Sequence, residues 1–303
     1  MPLTLRSTIL LPTGADFDHA DVHLPSGLLV IAHTEPGTVE VVDTLSGHHL
    51  TTLAGCPDAS GVVVAAPKTF AFAAARASGD ILKIDLTDRS EVGRLTVGEA
   101  PNGLAYDSSR DQLLVADVRL NTATLIDSAT MTAVASCLLP GRPRWCLYEA
   151  GRDRFLVNVR EPALIAVLAA GPDAFAISSL WPVAADGPHG LAIDPDQDLA
   201  FVAADDGNVV SISLDGGRER GRCQIPGAPD VVFFNPLLSE LYVAIGDPGL
   251  LVTIDTQQMR VSDTTVTALG AHTFAFDPAR QCLYSLWPDL HQVAVFASQE
   301  VPA

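Results

Sequence analysis

The sequence is short of basic residues: 18 Lys and Arg stand against 36 Asp and Glu, for a formal net charge of −18 and a pI near 4.6. A field of that sign repels phosphate backbones, which excludes nucleic acid as an expected partner. It argues equally against an anionic membrane surface. No apolar run is long enough to span a bilayer, and residues 1–12 lack the charged start and apolar stretch of a secretory leader. The five cysteines, Cys56, Cys137, Cys146, Cys223 and Cys282, are odd in number and show no C-x-x-C spacing. They read as small buried hydrophobes in a reducing compartment, so a cytoplasmic protein is expected. Gly-x-Ser-x-Gly is absent, as are the Gly-rich phosphate loops. No stretch carries a convincing helical period, and no low-complexity linker divides the chain.

What is present is a repeat. Pro188-His189-Gly190-Leu191-Ala192-Ile193-Asp194-Pro195 recurs in degraded form as Pro101-Asn102-Gly103-Leu104-Ala105-Tyr106-Asp107, then around Arg144, Asp230 and His272, and backwards around Ser60 and His19. The recurring positions 19, 60, 102, 144, 189, 230 and 272 are separated by 41, 42, 42, 45, 41 and 42 residues. A period of about 40–45 residues with strand-like content marks a β-propeller, one four-stranded blade per repeat. Seven copies predict an all-β, seven-bladed propeller that consumes residues 1–303 as one domain.

Within each repeat, strand A opens at the recurring residue and an Asp- or Pro-containing turn follows. Strand B is a short apolar run, such as Leu28–Ala32, Leu113–Ala116 or Leu241–Ile245. Strand C ends near an acidic residue, as at Asp43, Asp85, Asp127 and Asp255. The last repeat has three strands and lacks a fourth, whereas residues 3–11 alternate like a stray last strand. Residues 3–11 are therefore predicted to complete blade seven and close the ring, which removes the open edges that invite aggregation. A closed ring leaves no edge that must pair, so a monomer is expected.

The Pro-x-Gly-Leu-Ala-x-Asp starts, with second strands such as Leu241-Tyr242-Val243-Ala244 and Phe155-Leu156-Val157-Asn158-Val159, resemble the YVTN/YncE-like family of seven-bladed propellers along essentially the whole chain. That family implies the fold and leaves function open. Two enzyme groups have similar repeats. Virginiamycin B lyase is a magnesium-dependent propeller with a catalytic histidine in a late blade, and His272 resembles it in position. The SMP30/gluconolactonase group binds a divalent metal on one face, and Pro101-Asn102-Gly103-Leu104 looks like its Asn-ligand segment. These likenesses imply lyase or lactone/ester hydrolase chemistry.

Because the recurring residue opens the innermost strand, its seven copies should ring one mouth of the central channel. In blade order they are His19, Ser60, Asn102, Arg144, His189, Asp230 and His272. The arc His189, Asp230, His272, His19 offers three imidazoles and a carboxylate, a ligand set suited to zinc, iron or manganese. Polar channel mouths are also commonly filled by water and structural hydrogen bonds, so a metal-free mouth is the competing expectation. His33 is placed to support His19 or to act as a ligand, and Asp21 to orient an imidazole. His272 or His19 is the expected general acid or base. Arg144, the one cation of the ring, is the expected anchor for a carboxylate or other anion, the bland alternative being an ion pair with Asp230. Asn102 and Ser60 would help bind a small molecule, and Trp287 would pack its apolar part. Trp145 is expected to pack between blades. Asp117, Arg160, Asp205 and Asp247 read as outer-rim turn residues, and His48 and His49 as a solvent-facing turn. The sequence thus supports a small-molecule enzyme at the mouth, with a non-catalytic binding scaffold as the alternative.

Overall fold

A computed structural model describes residues 3–298. The chain forms seven four-stranded antiparallel sheets, the blades of an all-β propeller. Strands are numbered β1 to β28 in chain order. The first blade is β2 (Phe17–His23), β3 (Leu28–His33), β4 (Thr38–Asp43) and β5 (His48–Ala54), paired in that order from the channel outwards. Five further blades repeat this plan. The seventh is assembled from both chain ends in the order β1 (Thr4–Leu10), β28 (Gln292–Ala297), β27 (Cys282–Trp287) and β26 (Phe274–Asp277). The described part of the predicted N-terminal segment therefore supplies the outer strand, in antiparallel register from Thr4 opposite Ala297 to Leu10 opposite Gln292. Residues 1–2 and 299–303 lie outside the described residues.

The burial pattern follows strand position. Strands B and C are sandwiched between neighbouring blades and read as near-continuous apolar runs; β3, for example, is buried throughout. Outer strands alternate, as β5 does, because only one face meets the next blade. Apolar clusters accordingly form between blades, as where Val30, Ala32, Val39 and Val41 meet Val62, Ala71 and Ala73.

The aspartates at strand ends have a mechanical role. Asp43 Oδ1 accepts the backbone N–H groups of Leu45 and Ser46, and Asp255 Oδ1 those of Gln257 and Gln258. Asp107, Asp194 and Asp277 do the same in the A–B turns. A carboxylate there replaces the ladder partner that the turning backbone has lost. Along the face where the A strands end, Lys68 pairs with Asp111 of the next blade, Arg110 with Asp153, and Arg152 with Asp198. These exposed pairs add little individually and serve to register neighbouring blades.

His48 and His49 are not a turn: they begin β5, and His49 Nε2 lies 2.8 Å from Glu40. Glu40 is fully buried and also meets His33, Thr38 and Thr52. Burial alone would raise its carboxyl, but these four hydrogen bonds hold it down at about 2.

Closure by β1 can be tested by two neighbouring truncations. Ile9 is 3% exposed against β28, whereas Leu10 is 74% exposed. Ile9→Ala should lower unfolding free energy by about 2–4 kcal/mol in urea denaturation, and Leu10→Ala by under about 0.5 kcal/mol. Equal effects would mean that β1 does not seal the ring.

Candidate functional site

The recurring residue occupies an irregular point in its blade. In blades one to five the A–B register slips beside it, between Phe17 and Ala20, Ala59 and Val62, Pro101 and Gly103, Pro143 and Cys146, and Pro188 and Gly190. Such a bulge frees one residue from the ladder and re-aims its side chain. The glycine that follows permits close approach of the next blade. A Cβ on Gly103 would lie 2.2 Å from the Arg144 carbonyl oxygen, and one on Gly190 would lie 2.4 Å from that of Asp230. The Pro-x-Gly signature is thus a packing requirement between successive inner strands.

Around the mouth the structure brings His189, Asp230 and His272 together. His189 Nε2 lies 3.0 Å from Asp230 Oδ1, and its Nδ1 lies 3.0 Å from Asp205 Oδ1. Burial alone would lower the His189 pKa, but the Asp230 charge and the hydrogen bonds to Asp205 and Asp230 outweigh it and push the imidazole up to about 9. Asp230 is driven the other way: burial would raise it, and His189, with His272 and His19 beyond, holds it well below the usual carboxylate range. His189 is therefore an imidazolium clamped between two carboxylates.

His272 donates from Nδ1 to the Gly270 carbonyl at 2.9 Å, which leaves Nε2 without a proton in the neutral ring. That nitrogen lies 3.8 Å from Asp16 and 3.9 Å from Asp230, outside hydrogen-bond range of either. Burial comes first in lowering the His19 pKa, and the charges of Asp18 and Asp230 oppose it only in part. Its Nε2 faces Asp18 at 3.3 Å and its ring meets Trp145 with centroids 4.6 Å apart. Asp18 also takes Arg76 at 3.4 Å and Asn102 Nδ2 at 3.5 Å.

Arg144 is partly buried, and its Nε is shielded with no hydrogen-bond partner. Among the described residues no carboxylate pairs with it, whereas Arg76 takes Asp18 and Asp58, and Arg160 takes Asp205. Burial first, and then the nearby charge of Arg142, lower its pKa, with the charges of Asp230 and Asp18 acting the other way.

Several sequence expectations need correction. Ser60 is fully buried and its hydroxyl donates to the Pro101 carbonyl at 3.1 Å, so it staples blades two and three and is not presented to a ligand. Trp287 packs with the apolar cluster of Tyr242, Phe274 and Phe296, its ring 6.3 Å from that of Phe296. Trp145 instead lines the channel. His33 stacks on Phe17 and bonds Glu40, so it does not support His19. Asp205 and Arg160 belong to the mouth and not to the outer rim, while Asp117 is a buried turn cap that accepts four backbone N–H groups. Asp16 and Asp18 were not among the expected residues. Both lie within three positions of His19, and Asp16 has a left-handed backbone at φ 68° that no sequence pattern announced.

The metal-ligand set is not assembled as donors. Among the described residues no three His, Cys, Asp or Glu side chains are grouped to hold a metal ion. Both nitrogens of His189 face carboxylates, so His189 would have to give up a proton before it could ligate a metal. The cysteines are free, and burial raises every one of their thiols, Cys56 to about 12, which leaves them unreactive.

No protein-family model matches the chain, and no curated protein matches it. Among solved structures, the propeller is similar to one from Kuenenia stuttgartiensis hydrazine synthase, with a TM-score of 0.84 over 95% of this chain and 96% of that one. At 15% identity this likeness shows the seven-bladed fold alone. Among the described residues, no helix is long and apolar enough to cross a membrane.

The clamp on His189 has a pH signature. Its pKa in the folded chain is raised from 6.5 to about 9, so the stabilisation is fully present below the unfolded value and is lost as pH rises through about 9. His189→Gln should cost about 3 kcal/mol near pH 6, and the gap to the parent protein should narrow by about pH 10. A gap that stays constant over that range would show that His189 is held by packing and carries no charge.

Proposed function

We propose that the mouth is the active site of a small-molecule enzyme that anchors an anionic group on Arg144 and moves a proton with His272. The observation that carries this reading is the unpaired Arg144 guanidinium in a mouth whose neighbouring arginines are all taken by carboxylates or face open clefts. His272 suits a general base. The Gly270 carbonyl fixes its tautomer, and Asp16 and Asp230 stand close enough to stabilise the imidazolium that forms. His19, kept neutral by burial, is a second acid–base group. Asn102 acts through Asp18 as a positioning residue.

The reaction class follows the repeat resemblance: elimination by a lyase, or opening of a lactone or ester, each of which begins with proton removal from carbon or water. The same resemblance supports a YVTN-type propeller, the closed ring supports a monomer, and the five free cysteines support a cytoplasmic location. A divalent ion held by His19, His189, Asp230 and His272 is the rival mechanism, supported by the meeting of His189 and His272 at Asp230. It would require His189 to surrender a proton and a carboxylate.

Small dicarboxylates test the anchor. Malonate and succinate should bind the parent protein saturably in calorimetry, and Arg144→Met should weaken binding about tenfold or more. Binding unchanged in that variant, or absent from the parent protein, would overturn the reading. Elemental analysis of protein made without a histidine tag separates the mechanisms, since only the rival predicts a stoichiometric metal lost in His189→Ala.

A further inference from the structure

Below the mouth the innermost strands enclose a compartment of about 410 Å³, within the range of small-ligand sites. Its wall reaches the A-strand ends at Ser108 and Tyr148, so it opens on the face opposite His272. Trp145, whose ring meets that of His19 with the planes tilted by 46°, lines the compartment and links it to the mouth. The wall is aliphatic and aromatic. Trp145 meets Phe233 edge-on at 6.3 Å, and Phe234, Tyr106 and Tyr148 continue the surface.

Polar groups are almost all turned elsewhere. Tyr106 donates to Asp111 at 2.5 Å and Tyr148 to Asp153 at 2.8 Å, both in turns of the rim. The Cys146 thiol faces the Arg144 carbonyl at 3.5 Å. The exception is Asp21, the one charged side chain of the wall. Its Oδ1 accepts the Val22 N–H and its Oδ2 the Val64 N–H, both at 2.8 Å. A carboxylate has room for about four such bonds, so roughly half its capacity is unused. Burial raises its carboxyl to about 6 against the pull of those two N–H groups, which leaves an ionised, under-solvated carboxylate at neutral pH.

We propose that this compartment binds a small hydrophobic amine, its ammonium paired with Asp21 and its hydrocarbon body against Trp145, Phe233 and Phe234. The occupant follows from charge and surface together. An ammonium supplies the counter-charge that Asp21 lacks, and aromatic faces attract a cation at their edge of the site as well as an apolar body. A carboxylate-bearing ligand would meet repulsion from Asp21, and a neutral hydrocarbon would leave it unpaired. This site is independent of the chemistry assigned to the mouth.

Benzylamine is the probe, with benzyl alcohol and benzoate as neutral and anionic counterparts, measured by titration calorimetry and thermal shift on the full chain. Benzylamine should bind saturably, and each counterpart about tenfold or more weakly. Asp21→Asn should weaken benzylamine by a similar factor. Leu147→Trp, which fills the compartment without touching Asp21, should abolish binding even where Asp21→Asn fails to fold. Arg144→Met should leave benzylamine affinity unchanged, separating this site from the mouth. The proposal fails if benzylamine does not bind up to roughly 10 mM, if benzoate or benzyl alcohol binds as well, or if Leu147→Trp retains full affinity.

Discussion

The structure depends on one act of closure, the antiparallel pairing of β1 with β28. A row of blades stacked face to face has two raw ends, and each would expose an apolar sheet face to water. Joining the first strand of the chain to the last blade removes both at once. It also fixes the radius of the wheel, because the inner strands then have no freedom to spread. The close approaches at Gly103 and Gly190 are the consequence: successive inner strands touch backbone to backbone, with no space even for a methyl group. Side chains released by the bulges beside those glycines have only the channel to enter.

A channel mouth built this way concentrates charge in a chain that already carries a net −18. Asp16, Asp18, Asp205 and Asp230 gather there, and their mutual repulsion must be compensated. His189 meets two of them and Arg76 a third, while Arg160 shares Asp205. The compensation is uneven. It saturates His189, leaves the Nε2 of His272 just out of reach of its carboxylates, and leaves Arg144 with none. Reactivity in such a mouth belongs to the groups that structural pairing has passed over, since a side chain already satisfied on every side has nothing to offer a ligand.

The architecture was legible because it is written seven times: period, strand order and the closing N-terminal strand all follow from repetition. The capping aspartates were legible as well, each at the same place in its repeat. Side-chain partnership was less so. Ser60, Asn102 and His189 occupy equivalent positions, yet Ser60 turns to a backbone carbonyl, Asn102 to Asp18 and His189 to two carboxylates. Position in a repeat places the backbone, and the rotamer then follows whichever neighbour is nearest and of the right sign. Trp145 and Trp287 illustrate the same limit. Trp145 sits beside the bulge of an innermost strand and lines the channel, whereas Trp287 ends the regular ladder of a second strand. Asp18 lies in β2 and Asp16 just before it, and the position of Asp18 holds proline or alanine in the other repeats, as at Ala59, Pro101 and Pro188, so periodicity could not announce a carboxylate there.

A single inner strand also explains how one channel keeps opposite charges apart. His19 and Asp21 share β2 and lie two residues apart, about 7 Å along the strand. Arg144 and Trp145 are adjacent on another inner strand. Among the described residues Arg144 pairs with no carboxylate at the mouth, and Asp21 in the wall below takes two backbone N–H groups and no cation. Trp145, held against His19 and Phe233, adds an apolar surface to that wall. Inner strands that run from the mouth towards the opposite face thus set charges of opposite sign at different levels of one channel, a cation at the mouth and a carboxylate in the wall.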